Sequence, residues 1–154
     1  IVCGSLGENQ ALAPDEKRQV VANAVTVAAG RVPVLAGVAE TSTAAARRYA
    51  VDCARLGVSG LMVMPAMVYK ADPGEAAAFF RSVAAATDLP WMLYNNPVAY
   101  PVDVTPDRLA EFADIRNLVA VKESSADPRR VTEIRLAVGD RFALFAGVDD
   151  LILE

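Results

Sequence analysis

The sequence repeats one unit, a short apolar segment followed by a loop and an amphipathic segment with helix signals. The apolar segments recur about every thirty residues, which is the size of a strand, loop and helix unit in α/β proteins. The candidate strands are residues 1–3, 32–37, 60–64, 91–94, 118–122 and 142–146. No reversal signal separates these segments, so the pattern predicts a parallel sheet carrying about six such units.

Two architectures fit this pattern, an open doubly wound sheet and a barrel of parallel strands ringed by helices. Hydrophobic periodicity does not separate them. Both architectures place functional groups in the loops at the carboxyl ends of the strands. The most unusual runs of the chain fall at those positions, in residues 4–8, 94–97, 122–125 and 147–149. We therefore expect one rim of the sheet to collect a hydroxyl, backbone amides, a phenol and an amine.

The amine belongs to Lys122, which stands at the end of the apolar strand 118–122. Lysine is rarely buried without a partner. One interpretation is that its stem lies along the strand while the ammonium reaches solvent or a carboxylate such as Glu123. The other is a desolvated amine that attacks a carbonyl carbon.

Composition excludes several classes of protein. The net charge is −4 and the basic residues are scattered, which argues against nucleic acid as the main partner. Charged residues interrupt every apolar run before it reaches the length of a membrane span. The absence of histidine excludes Ser-His-Asp and Cys-His nucleophile systems and the commonest metal ligand. The two cysteines, Cys3 and Cys53, are expected to be buried free thiols.

The rim residues other than Lys122 also have plainer interpretations. The pair Gly4 and Gly7 fits a tight turn, since neither the dinucleotide fingerprint nor a P-loop is present. A tyrosine such as Tyr94 on an apolar strand is commonly a core residue with a satisfied hydroxyl. The Asn95-Asn96 pair before a proline is typical of a turn.

In combination, the ordered rim motifs resemble the dihydrodipicolinate synthase and N-acetylneuraminate lyase superfamily. The motifs are Gly4-Ser-Leu-Gly-Glu8, Tyr94-Asn-Asn-Pro97, Val121-Lys-Glu123 and Gly147-Val-Asp149. The resemblance covers nearly the whole chain and implies one (β/α)8 TIM barrel domain over residues 1–154, truncated at both ends. We expect such a fragment, expressed alone, to expose sheet edges and aggregate.

The resemblance also implies a reaction and the residues that perform it. Lys122 would form a Schiff base with a pyruvate-like 2-keto acid, Tyr94 would shuttle protons, and Ser5 would take part in the proton relay. The residues implied around the substrate are Ser5, Leu6, Gly147 and Val148. No metal or organic cofactor is implied, and the expected assembly is a cytoplasmic homo-oligomer, a dimer or a tetramer.

Several positions depart from the synthase pattern. Leu6 replaces the second hydroxyl of the glycine-rich turn, and Ala66 and Met67 replace a tyrosine pair. Ala99 stands where the synthase has an arginine for its second carboxylate, and Pro101 replaces an expected glycine. These changes argue against a true dihydrodipicolinate synthase.

Runs 67–72 and 94–100 look more like a catabolic branch that includes deaminases of 1-pyrroline-4-hydroxy-2-carboxylate. The alternatives are a dihydrodipicolinate synthase proper and a non-catalytic keto-acid-binding regulatory barrel. A doubly wound ligand-binding domain is the third alternative.

Overall fold

A single parallel sheet organises the chain. The computed structural model describes residues 1–66 and 69–151, so Met67 and the predicted start of a helix at 152–154 lie outside the described residues. The sheet has five strands in the order β1-β2-β3-β4-β5. Their bounds are β1 Leu35–Val38, β2 Gly60–Val63, β3 Trp91–Asn95, β4 Leu118–Glu123 and β5 Ala143–Ala146.

A helix follows or precedes each strand. The helices are α1 Pro14–Ala28, α2 Thr43–Arg55, α3 Pro73–Ala84, α4 Pro106–Ala110 and α5 Arg129–Val138, and a 3₁₀ turn covers Asp149–Leu151. Proline occupies the first turn of α1, α3 and α4, where its missing N–H has no intrahelical partner to lose. At α3 the Asp72 carboxylate accepts from the Glu75 N–H while Glu75 caps the Asp72 N–H in return.

The predicted strands differ from the observed ones at the start of the chain. Segment 1–3 contributes only a parallel bridge between Val2 and Ala36 rather than a full strand. Residues 32–34 are not part of β1, since Pro33 has no N–H to donate to a ladder. The sheet therefore contains five strands and one bridge where about six strands were predicted.

The strand order separates the two architectures. Every described strand pairs in parallel with the next strand along the chain. A doubly wound sheet reverses its strand order at a switch point, and the described strands contain no reversal. Sequential parallel strands with right-handed helical crossovers form the wall of a (β/α) barrel, as the resemblance predicted.

The two faces of this wall have different compositions. On the outer face, strand residues such as Val63, Leu93 and Val121 pack with helix residues in the main hydrophobic core. On the inner face, a smaller cluster contains Ala39, Met62, Met64, Met92, Tyr94, Tyr100 and Ala120. Because side chains alternate along a strand, Lys122 shares the inner face with Tyr94 and Ala120.

Candidate active site

Lys122 and Tyr94 lie side by side on neighbouring strands. They are register partners between β4 and β3, and the Lys122 Nζ lies 4.5 Å from the centroid of the Tyr94 ring. The lysine side chain is half-buried and Tyr94 is buried. An ammonium at this distance from an aromatic face gains a cation–π attraction. The prediction that these two residues meet at the carboxyl ends of adjacent strands is confirmed.

Glu123 does not pair with Lys122. It points to the outer face, where its carboxylate accepts hydrogen bonds from Asn95 Nδ2 at 3.0 Å and from the Ser125 N–H at 2.7 Å. Asn95 also donates to Asp103 at 3.1 Å and accepts from the Val104 N–H at 2.9 Å. The interpretation of Glu123 as the partner of Lys122 is therefore wrong, because consecutive strand residues face opposite sides.

The other two lysines lie elsewhere. Lys17 is buried on the helical side of the chain, where it forms an ion pair with Glu40 and lies 4.9 Å from the Tyr49 ring centroid. Lys70 is exposed in the loop before α3. Of the three lysines in the sequence, Lys122 is the one on the inner face of the sheet.

The Tyr94 hydroxyl has a defined neighbour. Asn96 Nδ2 donates to it at 3.0 Å, while Asn96 Oδ1 accepts from the Ala99 N–H at 3.0 Å. The phenol thus accepts one hydrogen bond and keeps its own hydrogen available for transfer. The two asparagines are more than turn residues, since Asn95 ends β3 and Asn96 contacts the phenol.

The glycine-rich turn lies beside the inner face. Gly4 approaches Met62, because a Cβ at Gly4 would be 3.5 Å from the Met62 Cε. The Gly7 N–H donates to the Gly4 carbonyl at 2.9 Å, and buried Asn9 donates to the Cys3 carbonyl at 2.8 Å. These bonds fix the turn directly after the segment whose Val2 forms a parallel bridge with Ala36 of β1.

Ser5 and Leu6 form the tip of this turn. Within residues 1–66 and 69–151, neither backbone N–H donates a hydrogen bond. The Leu6 side chain is fully exposed, so its backbone is the part of the residue available to a ligand in the site. Two consecutive unpaired N–H groups in a turn form the kind of concavity that binds anions.

Gly147 packs directly against the residues that follow Lys122. Its N–H donates to the Glu123 carbonyl at 2.8 Å, and a Cβ at this position would overlap the Ser124 hydroxyl. Glycine is therefore required for β5 to lie this close to β4. Val148 lines a small cavity together with Glu123 and Val131.

The loop after β3 directs Tyr100, rather than Ala99, into the sheet. Ala99 is exposed, whereas Tyr100 is buried with its ring edge toward Tyr94 at a centroid distance of 5.9 Å. Its hydroxyl lies 3.7 Å from the Met64 Sδ. Burial of the phenol raises the pKa of Tyr100, and the neighbouring Tyr94 adds to that rise.

Among the residues that the structure describes, no three His, Cys, Asp or Glu side chains come together as metal ligands would. Within the same ranges, no helix combines the length and apolar character that crossing a bilayer requires.

Three residues of this region were not predicted from the sequence. From the sequence, Asn96 was interpreted only as part of a turn, and Asn9 and Tyr100 were given no role. The available signal for Tyr100 was its aromatic character six residues after Tyr94, the proposed end of a strand. That spacing does not reveal which residue of the loop turns back onto the sheet.

The whole chain, residues 1–154, matches the dihydrodipicolinate synthetase family, and the protein belongs to that family. A relative named 4-hydroxy-tetrahydrodipicolinate synthase, from Shewanella piezotolerans, is 35% identical over 149 residues, which are 97% of this chain and 51% of the relative. A second with the same name, from Shewanella sp. strain W3-18-1, is 36% identical over the same shares. The chain thus spans about half the length of the curated relatives it matches.

Solved structures agree with the fold. Dihydrodipicolinate synthase DapA-2 from Bacillus anthracis has a TM-score of 0.94 and 32% identity, with 99% of this chain and 52% of that chain covered. YagE from E. coli K12, a member of the dihydrodipicolinic acid synthase family solved in complex with pyruvate, has a TM-score of 0.91 and 27% identity over 97% and 51% of the two chains. The sheet of this chain is therefore part of a TIM barrel.

Proposed function

We propose that the complete protein is a Schiff-base enzyme in which Lys122 forms an imine with a pyruvate-like 2-keto acid or a cyclic imine acid. One observation carries the proposal: the sole inner-face lysine lies at the carboxyl end of a barrel strand, 4.5 Å from the Tyr94 ring centroid. In TIM barrels, catalytic groups gather at the carboxyl ends of the strands. Lys17 and Lys70 lack this setting, since one is ion-paired on the helical side and the other is exposed.

The chemistry follows from what a lysine amine does to a carbonyl. The neutral amine of Lys122 adds to the ketone carbon, and the adduct takes up one proton and loses water to leave a protonated imine. That imine withdraws electrons from the adjacent carbon, so a bond to that carbon breaks or forms more readily. Tyr94 has a transferable hydrogen and lies beside the amine, which suits it to carry protons to and from the substrate.

The substrate carboxylate has a candidate binding site in the glycine-rich turn. The unpaired N–H groups of Ser5 and Leu6 are suited to hold it, with the Ser5 hydroxyl as a further donor. Gly147 and Val148 would border the substrate through their backbones. Support for a small keto acid comes from YagE, the family member solved with pyruvate.

For the substrate itself, we propose a small or cyclic 2-keto-acid equivalent such as 1-pyrroline-4-hydroxy-2-carboxylate. Lys122 would replace the ring nitrogen at the imine carbon and open the ring. The supporting observation is Ala99, which is exposed and offers no cation for a second carboxylate. Loss of a charge-assisted hydrogen bond costs about 1.5–3 kcal/mol, which is roughly a ten- to hundredfold loss of affinity.

Dihydrodipicolinate synthase proper is the second candidate, and the names of the curated relatives favour it. Two reactions separate the candidates. The complete protein is given pyruvate with aspartate semialdehyde in one, and the hydroxypyrroline carboxylate in the other. We expect turnover of the second mixture and weak or absent condensation in the first. Efficient condensation would show that Ala99 does not prevent recognition of the second carboxylate.

Imine formation has its own test. The complete protein is incubated with pyruvate, reduced with borohydride and digested, and the modified peptide is located by mass spectrometry. We expect one adduct, on Lys122, and none when pyruvate or borohydride is omitted. An adduct on Lys17 or Lys70 would contradict the assignment. No adduct at all would favour the non-catalytic keto-acid-binding barrel.

The assembly of the complete protein stays a prediction. A homo-oligomer, a dimer or a tetramer, is expected from the family resemblance, and sedimentation velocity of the complete protein would test it.

A further inference from the structure

Asn96 holds the hydroxyl of Tyr94 from the loop that follows β3. The two residues are two positions apart, so strand alternation places them on the same face of the sheet. The Asn96 Nδ2 donates to the Tyr94 hydroxyl oxygen at 3.0 Å. The proposed chemistry so far uses Tyr94 for proton transfer and gives Asn96 no part in it.

The direction of this hydrogen bond follows from the other partner of the Asn96 amide. An asparagine side chain has an oxygen that only accepts and a nitrogen that only donates, and their partners tell the two atoms apart. The Ala99 N–H lies 3.0 Å from the Asn96 Oδ1, and a backbone N–H can only donate. The amide oxygen therefore faces Ala99 and the amide nitrogen faces Tyr94, whose hydroxyl must accept the bond.

The loop also holds the backbone of Asn96 in place. The Asn96 carbonyl accepts from the Ala99 N–H at 3.1 Å and from the Tyr100 N–H at 2.8 Å. The preceding residue, Asn95, is 2% exposed, and its side chain donates to Glu123 at 3.0 Å. The Asn96 amide is thus a preorganised donor rather than a freely rotating surface group.

The Tyr94 ring is fixed by packing, which leaves its O–H bond as the part still free to turn. The Lys122 Nζ lies 4.5 Å from the ring centroid, and the Tyr100 ring meets Tyr94 edge-on at a centroid distance of 5.9 Å. A hydroxyl hydrogen rotates to suit its neighbours, so a donor on one side of the oxygen turns the O–H bond away from that side. A hydroxyl held in one direction transfers a proton faster than a rotating one, because less reorganisation precedes the transfer.

We propose that Asn96 is a positioning residue of this site, whose side-chain N–H occupies the loop side of the Tyr94 oxygen and directs the phenol hydrogen toward a substrate held on Lys122. The proposal rests on the proposed imine function. Asn96 contacts no reacting atom and transfers no proton of its own, since it acts through Tyr94.

The test follows a proton transfer that needs no knowledge of the natural substrate. The protonated pyruvate imine on Lys122 loses a methyl proton to the phenolate of Tyr94, and the C–H electron pair moves toward the imine nitrogen to leave a neutral enamine. The phenol exchanges its proton with D₂O. Its O–D bond then breaks as a C–D bond forms at the same carbon, which restores the imine cation and the phenolate.

Two measurements on the complete protein separate this step from imine formation. Proton NMR of pyruvate in D₂O gives the rate at which methyl hydrogens are exchanged. Borohydride trapping on the same samples gives the amount of imine on Lys122.

Two substitutions of Asn96 separate its two side-chain hydrogen bonds. Asn96→Asp keeps an oxygen for the Ala99 N–H but has no N–H to donate to Tyr94, whereas Asn96→Ala loses both bonds. We expect each variant to slow exchange roughly tenfold, the size expected for one hydrogen bond, while the trapped adduct on Lys122 is retained. The lost donation to Tyr94 is the change that the two variants share, since only the first adds a charge and only the second frees the loop.

The matched control for the added charge is Val98→Asp, which places a carboxylate in the same loop at a position that is 75% exposed. We expect its exchange rate to stay within about twofold of wild type. A double variant tests the route through the phenol. In a Tyr94→Phe protein, Asn96→Asp should slow exchange by less than about twofold, because the hydroxyl through which Asn96 acts is already absent.

Several outcomes would overturn the proposal. Exchange within twofold of wild type in Asn96→Asp would assign any loss in Asn96→Ala to the loop, and a loss confined to Asn96→Asp would assign it to the added charge. An equal slowing by Asn96→Asp with and without the Tyr94 hydroxyl would exclude the route through the phenol. Loss of trapping in Asn96→Asp would show that Asn96 supports imine formation rather than proton transfer.

The proposed imine function is judged separately. It stands after each of these outcomes if wild type is trapped on Lys122. A wild-type protein that traps no pyruvate would overturn the imine function and this inference together.

Discussion

The two faces of the sheet use alternate residues of the same strands for different purposes. On the outer face of β3, Trp91 stacks on Phe80 at 6.1 Å and 13°, and Phe80 meets Phe112 edge-on. One residue along, the inner face carries Met92 and then Tyr94. The outer face is filled by rigid aromatic and branched side chains held between strand and helix. The inner face has small or flexible side chains beneath one lysine and two phenols.

This difference separates stability from chemistry. Outer-face residues bury apolar area against the helices, so their loss is expected to lower the free energy of unfolding. The inner-face polar groups Lys122 and Tyr94 sit at the carboxyl ends of their strands, where catalytic groups of barrels gather, so their loss is expected to change reactivity more than stability. The predictions that follow test this division from both sides, in the complete protein.

The largest effect is expected for Lys122→Ala. With no amine on the inner face, borohydride trapping of pyruvate should disappear. The exchange of pyruvate methyl hydrogens with solvent deuterium, followed by proton NMR in D₂O, should fall by at least about 10⁴-fold, the size typical of removing a covalent nucleophile. The free energy of unfolding, measured by urea titration, should change by less than about 1 kcal/mol. Lys70→Ala is the control and should keep both activities. A Lys122→Ala protein that still traps pyruvate would show that Lys122 is not the residue that forms the imine.

Tyr94→Phe tests the same face with a smaller change. The ring that lies beside Lys122 is kept and the hydroxyl that accepts from Asn96 is lost. Trapping on Lys122 should remain measurable, while exchange should slow by roughly 10²–10⁴-fold, as for a lost general acid–base group. An unchanged exchange rate would assign proton transfer to another group.

Phe80→Ala tests the outer face. This side chain is fully buried among Phe79, Trp91 and Phe112, so its removal should lower the free energy of unfolding by about 3–5 kcal/mol. Exchange measured well below the melting temperature should stay within about tenfold of wild type. Leu136→Ala, at an exposed position of α5, is the control and should cost about 0.5 kcal/mol or less. A large drop in the exchange rate of the folded Phe80→Ala protein would show that the two faces of the sheet are not independent.

Gly147→Ala tests where the two faces meet. The added methyl would overlap the Ser124 hydroxyl and should cost about 1–3 kcal/mol through overpacking. Adding Ser124→Gly removes the overlapping atoms and should restore part of the stability. If the second change makes the protein less stable still, the contact between these two residues is not the cause.

The smallest effect concerns alkaline pH. Burial raises the pKa of the Cys53 thiol to about 12. In the unfolded chain the thiol ionises near its ordinary value of 9.0, so the contribution of Cys53 to stability is complete below pH 9 and is lost as the pH rises toward 12. Urea titrations between pH 8 and pH 10.5 should therefore show a steeper loss for wild type than for Cys53→Ala. Parallel pH profiles would contradict this.

Part of the fold was predictable because its signals are local. The apolar segments around Gly60, Trp91 and Leu118 became strands, and the Asp72–Glu75 capping box began a helix. Boundaries were less predictable. Helix α5 begins at Arg129, so Pro128 is the residue before the helix rather than part of its first turn. Asp127 still accepts a hydrogen bond from the Arg129 N–H at 3.1 Å.

Part of the candidate site was predictable for the same reason. Lys122 and Tyr94 each follow an apolar strand directly, and the end of a parallel strand is a known place for functional groups. Glu123 was misjudged as a partner for Lys122, although the strict alternation of a strand could have excluded it. Tyr100 was missed because the fold of a loop depends on hydrogen bonds that its own sequence does not specify.

The sequence by itself determined the repeating strand and helix unit, the position of the lone inner-face lysine at a strand end and the family resemblance. These depend on spacing along the chain, which the sequence records directly. The tertiary structure alone decided that neighbouring strands pair in chain order, that Tyr94 stands in register with Lys122, and that the Tyr100 ring packs edge-on against Tyr94. Pairing register and loop packing are contacts between residues far apart in the chain, and their energies depend on geometry that exists only after the chain has folded.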